Sequence, residues 1–461
     1  MVRDPVQSLE APLLPSSATA MRPLRVGMIG IGTVGSGTFR VLARNQAEIA
    51  GRAGRGIKLV MVCARSLARA MRVVGRDAAL TNDPMLVATH PDVDVVVEVA
   101  GGTSPAREWV LAAIRAGKHV VTANKALLAV HGTEIFKAAQ QKGVMVAFEA
   151  AVAGGIPIIK ALREGLSANR IEWIAGIING TTNFILSEMR DKGLDFADVL
   201  KEAQRLGYAE ADPTFDIEGV DAAHKITLLS AIAFGTDVQF DKTYVEGITQ
   251  LASVDIRYAE QLGYRIKLLG VTRRAAEGIE LRVHPTLIPA KRLIANVEGA
   301  MNAVVVHGDA VGTTLYYGKG AGSEPTASAV IADLVDVARL HTAEQEHRVP
   351  HLAFQPNAMQ THLPLLPMSA VVTSYYLRLR VADQAGVLAQ ITGILAAANI
   401  SIDAIVQREA DEVGGAETNQ TDVIILTHDC TESAMTAAIA QMQALPTVYQ
   451  PIVRIRKEEL N

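Results

Sequence analysis

Leu24 to Gly30 (LRVGMIG) is a short apolar run that passes directly into Gly30-Ile31-Gly32-Thr33-Val34-Gly35. A helical pattern opens at Ser36 and continues to Ile49. A strand turned into a helix through three glycines restricts the fold more than any other feature of this chain. The glycines admit a tight turn and let the backbone approach a pyrophosphate at the helix N-terminus. That predicts a dinucleotide-binding α/β domain built on a parallel sheet. Gly30, Gly32, Thr33, Val34 and Gly35 are the candidate cofactor contacts. A tight strand-to-helix turn without a ligand is the alternative.

The next segments keep the same alternation. Lys58 to Ala64 (KLVMVCA) reads as a second strand and ends at Arg65-Ser66. A domain preferring NAD usually places Asp or Glu here for the ribose hydroxyls. Arg65 suits a 2′-phosphate instead, so NADP is the expected cofactor, with NAD as the alternative. A solvated arginine is the bland reading. Val93 to Ala100 (VDVVVEVA) is almost continuously apolar, as a parallel strand covered on both faces should be. A helix over Glu108 to Ala116 and a strand over His119 to Thr122 lead into Ala123-Asn124-Lys125. Lys125 stands at a strand C-terminus, where open α/β sheets keep their chemistry, and is a candidate catalytic residue or cofactor contact. Val144 to Phe148 is a fifth strand, and the domain spans residues 22–150.

A chain of 461 residues has room for several domains. Its net charge of −4 gives no electrostatic case for nucleic acid or an anionic membrane. No apolar run reaches the roughly 18 residues that span a bilayer. The two cysteines, Cys63 and Cys430, make no disulfide framework and no metal spacing, and a cytoplasmic location is expected. Residues 1–21 hold three prolines and no periodicity and read as a disordered tail. Met21 is the expected start of the ordered protein.

Gly207 to Lys225 (GYAEADPTFDIEGVDAAHK) concentrates the charge chemistry. Asp212-Pro213 favours a turn, Asp216 is a candidate N-cap, and an apolar helix follows to Phe234, with Gly235 as its stop. Asp221 and Lys225 are spaced i, i+4 and project from one face. The bland reading is an exposed ion pair worth about 0.2–0.5 kcal/mol. A lysine at the polar end of a buried helix can instead exchange a proton with a substrate oxygen.

The segment resembles the substrate signature of the homoserine dehydrogenase family, G-Y-x-E-x-D-P-x-x-D-(I/L)-x-G-x-D-x-x-x-K. Gly207, Tyr208, Glu210, Asp212, Pro213, Asp216, Gly219, Asp221 and Lys225 carry the match. The run Val121 to Lys125, the run Asn179 to Leu186 (NGTTNFIL) and the segment from Gly318 through Pro325 to Val330 are similar to further family motifs. The resemblance covers residues 24 to 455. It implies NAD(P)-dependent interconversion of L-homoserine and L-aspartate 4-semialdehyde, in the synthesis of threonine, methionine and isoleucine. Lys225 would then move the proton, Asp216 would orient the lysine or a water, and Lys125 would help close the cofactor site. Glu210 and Asp221 would hold the substrate ammonium, with Asn179 and Thr181 facing the substrate. Gly207 and Gly322 would meet the cofactor. The loop Glu149 to Pro157 resembles a monovalent cation site such as one for Na+, with Glu149, Val152, Gly154 and Ile156 as its ligands. An ordinary hinge is the alternative there.

The expected fold is therefore a Rossmann-type domain with an inserted α+β catalytic and dimerisation domain at residues 151–309, the nucleotide domain being completed by 310–345. A linker covers 346–373. The order βαββαβ across residues 374–457 is ferredoxin-like. With Asp383, Gly386, Val387, Leu388 and Asn399-Ile400 it resembles an ACT domain, an amino-acid-sensing module for which threonine is the implied effector. Asp411 to Gln420 reads as a mobile hairpin loop. A chain ending near residue 370 is expected to stay active and lose inhibition. Sheet edges point to a homodimer or homotetramer. Two rivals stand beside this reading. A phosphorylating semialdehyde dehydrogenase would need a cysteine nucleophile. A non-catalytic, amino-acid-responsive NAD(P)-binding regulator would have no use for the acid–lysine cluster.

Overall fold

The computed structural model describes residues 21–407 and 419–461. The tail at residues 1–20 and most of the loop expected at 411–420 lie outside the described residues.

Six parallel strands form the first sheet: β1 (Leu24–Ile29), β2 (Ile57–Cys63), β3 (Ala79–Thr81), β4 (Val95–Glu98), β5 (His119–Thr122) and β6 (Val146–Ala147). Their order, β3-β2-β1-β4-β5-β6, reverses direction at β1. That switch point puts a cleft beside the glycine turn after β1. β3 is only three residues long, Ala-Leu-Thr, and has no apolar run to announce it.

The second sheet carries the rest of the chain. It contains β7 (Ile171–Ile177), β8 (Tyr244–Val245), β9 (Tyr264–Arg274), β10 (Ile279–Pro289), β11 (Met301–Gly308) and β12 (Gly312–Lys319). It continues with β13 (Val372–Ala382), β14 (Ile402–Gln407), β15 (Gln420–Thr427), β16 (Cys430–Thr431) and β17 (Val453–Lys457). Nine of these run β12-β11-β7-β9-β10-β17-β13-β15-β14, with β8 on β10 and β16 on β13. Within the C-terminal part the order β17-β13-β15-β14 is the ferredoxin-like arrangement.

Two boundaries differ from the sequence reading. β12 pairs antiparallel with β11, so residues 312–319 belong to the second sheet, and the return to the nucleotide domain comes with the helix Ser323–Leu340. Residues 346–373 do more than link. Ile279 and Leu366 exchange backbone hydrogen bonds with their neighbours across the end of β10, and Phe354 packs on Gly235.

The helix Val220–Phe234 lies at the centre. Every residue from Asp221 to Phe234 is buried, against β7, β9, β10 and the helix Lys125–Lys142. An apolar helix covered on all sides needs no polar face, which explains its run of Ala, Ile and Leu. Asp216 does not cap it. A separate short helix, Thr214–Ile217, holds Asp216, and Gly219 at φ 82° occupies the N-cap position. The chain must change direction between the two helices, and only glycine adopts that backbone cheaply.

Candidate active site

Each glycine of the first turn has its own task. Gly30 sits at φ 105°, and a Cβ there would fall 2.8 Å from the Ala100 amide nitrogen. A Cβ on Gly35 would fall 2.2 Å from the Gly30 carbonyl oxygen, so this glycine packs helix on strand. Gly32 has nothing within 4 Å of its missing Cβ, so its backbone is open to a ligand. A cavity of about 680 Å³ runs from Gly30 and Gly32 past Arg65, Ser66, Arg69 and Asn82 to Gly101 and Gly102. Arg69 was missed by the sequence reading. Its spacing of four from Arg65, across a helix start capped by Ser66, is the signal that finds it.

Glu98 was also missed. It ends β4 fully buried, and its carboxylate accepts hydrogen bonds from the Ala100 amide (2.9 Å), the Gly101 amide (3.1 Å) and Thr122 Oγ1 (2.8 Å). These bonds fix the Gly101-Gly102 turn. Asn124 donates to the Gly102 carbonyl at 2.7 Å and caps the helix Lys125–Lys142 through the Leu127 amide.

Lys125 therefore begins a helix and projects into a second cleft of about 790 Å³. Thr33, Val34, Gly154 and Gly322 line its nucleotide side. Asn179, Thr181, Gly207, Glu210, Asp216, Asp221 and Lys225 line the other. Lys225 is 9% exposed and Asp221 5%. Lys225 Nζ donates to Asp221 Oδ2 at 2.7 Å and to the Ile178 carbonyl at 2.6 Å. Lys125 Nζ lies 3.2 Å from Asp221 Oδ1. Asn179 Nδ2 donates to both Asp221 Oδ2 and Asp216 Oδ1, each at 2.8 Å. Thr181 Oγ1 is 2.7 Å from the Tyr208 carbonyl and 3.2 Å from Asp216 Oδ2. The Asn179 carbonyl group of the side chain caps the helix Gly180–Lys192, accepting from the Thr182 amide. Asn179 and Asp221, expected against the substrate, are thus engaged by protein partners. Glu210 is the exposed carboxylate at the rim.

The cluster sets its own protonation. Burial raises the Asp221 carboxyl, but Lys225, Lys125 and the donated hydrogen bonds outweigh it and hold the group at about 2. Burial lowers Lys225 more than Asp221 restores it, and Lys125 adds to the lowering. Burial, and then Asp221, raise Asp216. His224, between Phe215 and Phe240, is lowered by burial to about 4. A buried lysine with a lowered pKa, beside one ionised carboxylate, is suited to giving and taking a proton.

The loop Glu149 to Ile156 lies beside this cleft. Glu149 is buried, and its two carboxylate oxygens accept from the amides of Ile159 (2.9 Å) and Lys160 (2.8 Å). Its own amide donates to Asp333 at 2.8 Å. Burial, and then Glu149, push Asp333 up to about 8. Ala153 and Gly154 take positive φ and turn the loop. Among the described residues, the carbonyls of Val152 and Gly154 accept no hydrogen bond, whereas the carbonyl of Ile156, also expected as a ligand, is taken by the Ile158 amide at 2.8 Å.

Neither cysteine lines the cleft that holds Lys225. Burial raises both thiols, Cys430 to about 11, away from the reactive thiolate. Among the described residues no helix is long and apolar enough to cross a membrane.

Comparison with known proteins gives the family. Residues 157–335 match the family profile "Homoserine dehydrogenase", residues 30–149 "Homoserine dehydrogenase, NAD binding domain", and residues 375–446 "ACT domain". A homoserine dehydrogenase of Pseudomonas aeruginosa is 61% identical over 96% of this chain and 100% of its own length. The crystal structure of a homoserine dehydrogenase from Thiobacillus denitrificans is 65% identical, with a TM-score of 0.91, over 96% of this chain and 100% of that one. A hyperthermophilic archaeal homoserine dehydrogenase in complex with NADPH is 25% identical, with a TM-score of 0.60, over 70% of this chain and 100% of that one. The chain belongs to the homoserine dehydrogenase family, oxidoreductases that act on a CH–OH group.

Proposed function

We propose that this protein interconverts L-homoserine and L-aspartate 4-semialdehyde with NADP as the preferred cofactor, Lys225 moving the proton. The observation that carries the reading is the Lys125–Asp221–Lys225 cluster, with Asp221 and Lys225 buried, in one cleft with the nucleotide turn. A bound nicotinamide supplies the hydride chemistry. In the reducing direction the aldehyde carbon gains a hydride and Lys225 gives its proton to the forming alkoxide. In the oxidising direction the neutral amine takes the hydroxyl proton. Asp221 holds both lysines, and Asn179 ties Asp221 to Asp216. Glu210 is left to pair the substrate ammonium, with Thr181 and Asp216 ordering the rim at Tyr208. Arg65 and Arg69 together suit a 2′-phosphate, and the archaeal relative binds NADPH.

The loop at Val152 and Gly154 fits a monovalent cation through backbone carbonyl oxygens, which suit hard cations. Glu149 supports that loop through the Ile159 and Lys160 amides. Threonine is the effector we assign to the C-terminal module.

Initial rates of L-homoserine oxidation with NADP and with NAD, each with and without threonine, test the reading. Faster turnover with NADP, falling as threonine is added, is the expected result. No homoserine-dependent reduction of either cofactor would overturn it.

A further inference from the structure

Arg456, from the last strand of the C-terminal module, reaches out of that module to Tyr244 and Glu246. It is fully buried. Its Nε bonds Glu432 at 2.9 Å within the module, and its Nη1 bonds Glu246 Oε2 at 2.7 Å outside it. Its Nη2 donates to Tyr244 Oη at 3.0 Å, and its guanidinium lies 5.0 Å over the Tyr244 ring. Tyr244 Oη in turn donates to Glu246 at 2.8 Å. Arg456, Tyr244 and Glu246 form a closed triangle.

The segment that this triangle holds presses on the hinge between the two site helices. The Ile248 amide donates to the Ile217 carbonyl at 2.8 Å. A Cβ on Gly247 would fall 2.4 Å from that same oxygen and 2.6 Å from Glu218 Cα. A Cβ on Gly219 would fall 3.2 Å from Val245. Ile217 follows Asp216 directly, and Gly219 stands two residues before Asp221. Residues 244–248 thus pack without slack against the turn that sets both carboxylates.

We propose that Arg456, Glu246 and Tyr244 are positioning residues for the Asp216–Asp221–Lys225 cluster, so that the C-terminal module helps set the active-site geometry of its own chain. The inference rests on the reading that this cleft oxidises homoserine. It also gives a physical route by which a ligand of the module would alter turnover, since any shift of β17 moves Arg456. A displacement of about 1 Å at reacting groups can cost up to roughly 100-fold in rate.

The test uses the full chain. Glu246→Ala, Glu246→Gln, Tyr244→Phe and Arg456→Met are compared for kcat and homoserine KM at saturating cofactor. Cofactor titrations followed by protein fluorescence give the dissociation constants, and their stoichiometry counts the folded sites. Glu246→Ala is expected to lower kcat per site roughly 10- to 100-fold and leave cofactor binding within about twofold. Glu246→Gln, which keeps an acceptor for Tyr244, is expected to recover part of the loss. Glu246→Ala with Arg456→Met is expected to lose no more than the worse single change, as coupled residues do. If Arg456→Met does not fold, Tyr244→Phe with Glu246→Ala completes the same cycle. A kcat within about twofold of wild type in Glu246→Ala, losses that multiply, or equal loss of cofactor binding would overturn the inference. Wild-type protein inactive on homoserine would overturn the functional reading, and this inference with it.

Discussion

A lysine ammonium is costly to bury unless a counter-charge and hydrogen bonds meet it. Lys225 has the Asp221 carboxylate at 2.7 Å and the Ile178 carbonyl at 2.6 Å. The i, i+4 spacing of Asp221 and Lys225 was legible because one helix presents both. The approach of Lys125 to the same carboxylate was not, because it depends on how two sheets meet. Asn179 was legible as a site residue, yet its work is to bridge two carboxylates from a helix N-cap, and only the fold brings them within its reach. The lowered Lys225 pKa has a definite consequence. Homoserine oxidation needs the neutral amine, so its rate should rise with pH through a limb below the ordinary lysine value of about 10.4. Semialdehyde reduction needs the ammonium and should fall through the same limb. Profiles of kcat against pH in both directions measure this, and a limb at the ordinary lysine value would contradict it.

At the scale of elements, the glycine turn separates packing from binding. Gly35→Ala puts a methyl group 2.2 Å from the Gly30 oxygen and should destabilise by about 1–3 kcal/mol, as overpacking does. Gly32→Ala meets open space and should change stability by less than about 0.5 kcal/mol, while weakening cofactor binding. Thermal melts with cofactor titration distinguish the two, and equal effects of both changes would refute the division. The strand–glycine–helix unit was legible because local chemistry decides it. The break at Gly219 was misread as an Asp216 cap because Asp is a strong capping residue, and tertiary packing against Val245 and Val283 decided otherwise. β12 was missed because Gly312-Thr-Thr-Leu-Tyr-Tyr-Gly-Lys319 is an edge strand with half its side chains in solvent.

The whole molecule is held together more closely than a sequence of modules suggests. β17 pairs in parallel with β10, so the C-terminal sheet continues the catalytic one. Arg282 on β10 is fully buried, and Glu458, just past β17, bonds it at 2.7 Å. Asp255 similarly takes Arg378 and Tyr376 of β13. The archaeal relative shows that a homoserine dehydrogenase chain can match only 70% of this one, but here removal of the module takes Arg378 and Tyr376 from Asp255 and one of two carboxylates from Arg282, which keeps Glu280 at 2.8 Å. Breaking a buried pair costs about 3–5 kcal/mol. A chain ending near residue 370, which the sequence reading expected to stay active, should therefore melt earlier and lose activity. A stable, fully active truncated chain would refute this. The reaction in the Lys225 cleft is tested most directly by steady-state homoserine oxidation with Lys225→Ala beside wild type, cofactor binding being measured on both. A fall in kcat of roughly 10²–10⁴-fold with cofactor affinity unchanged is expected if Lys225 moves the proton. Wild-type turnover in Lys225→Ala would contradict it.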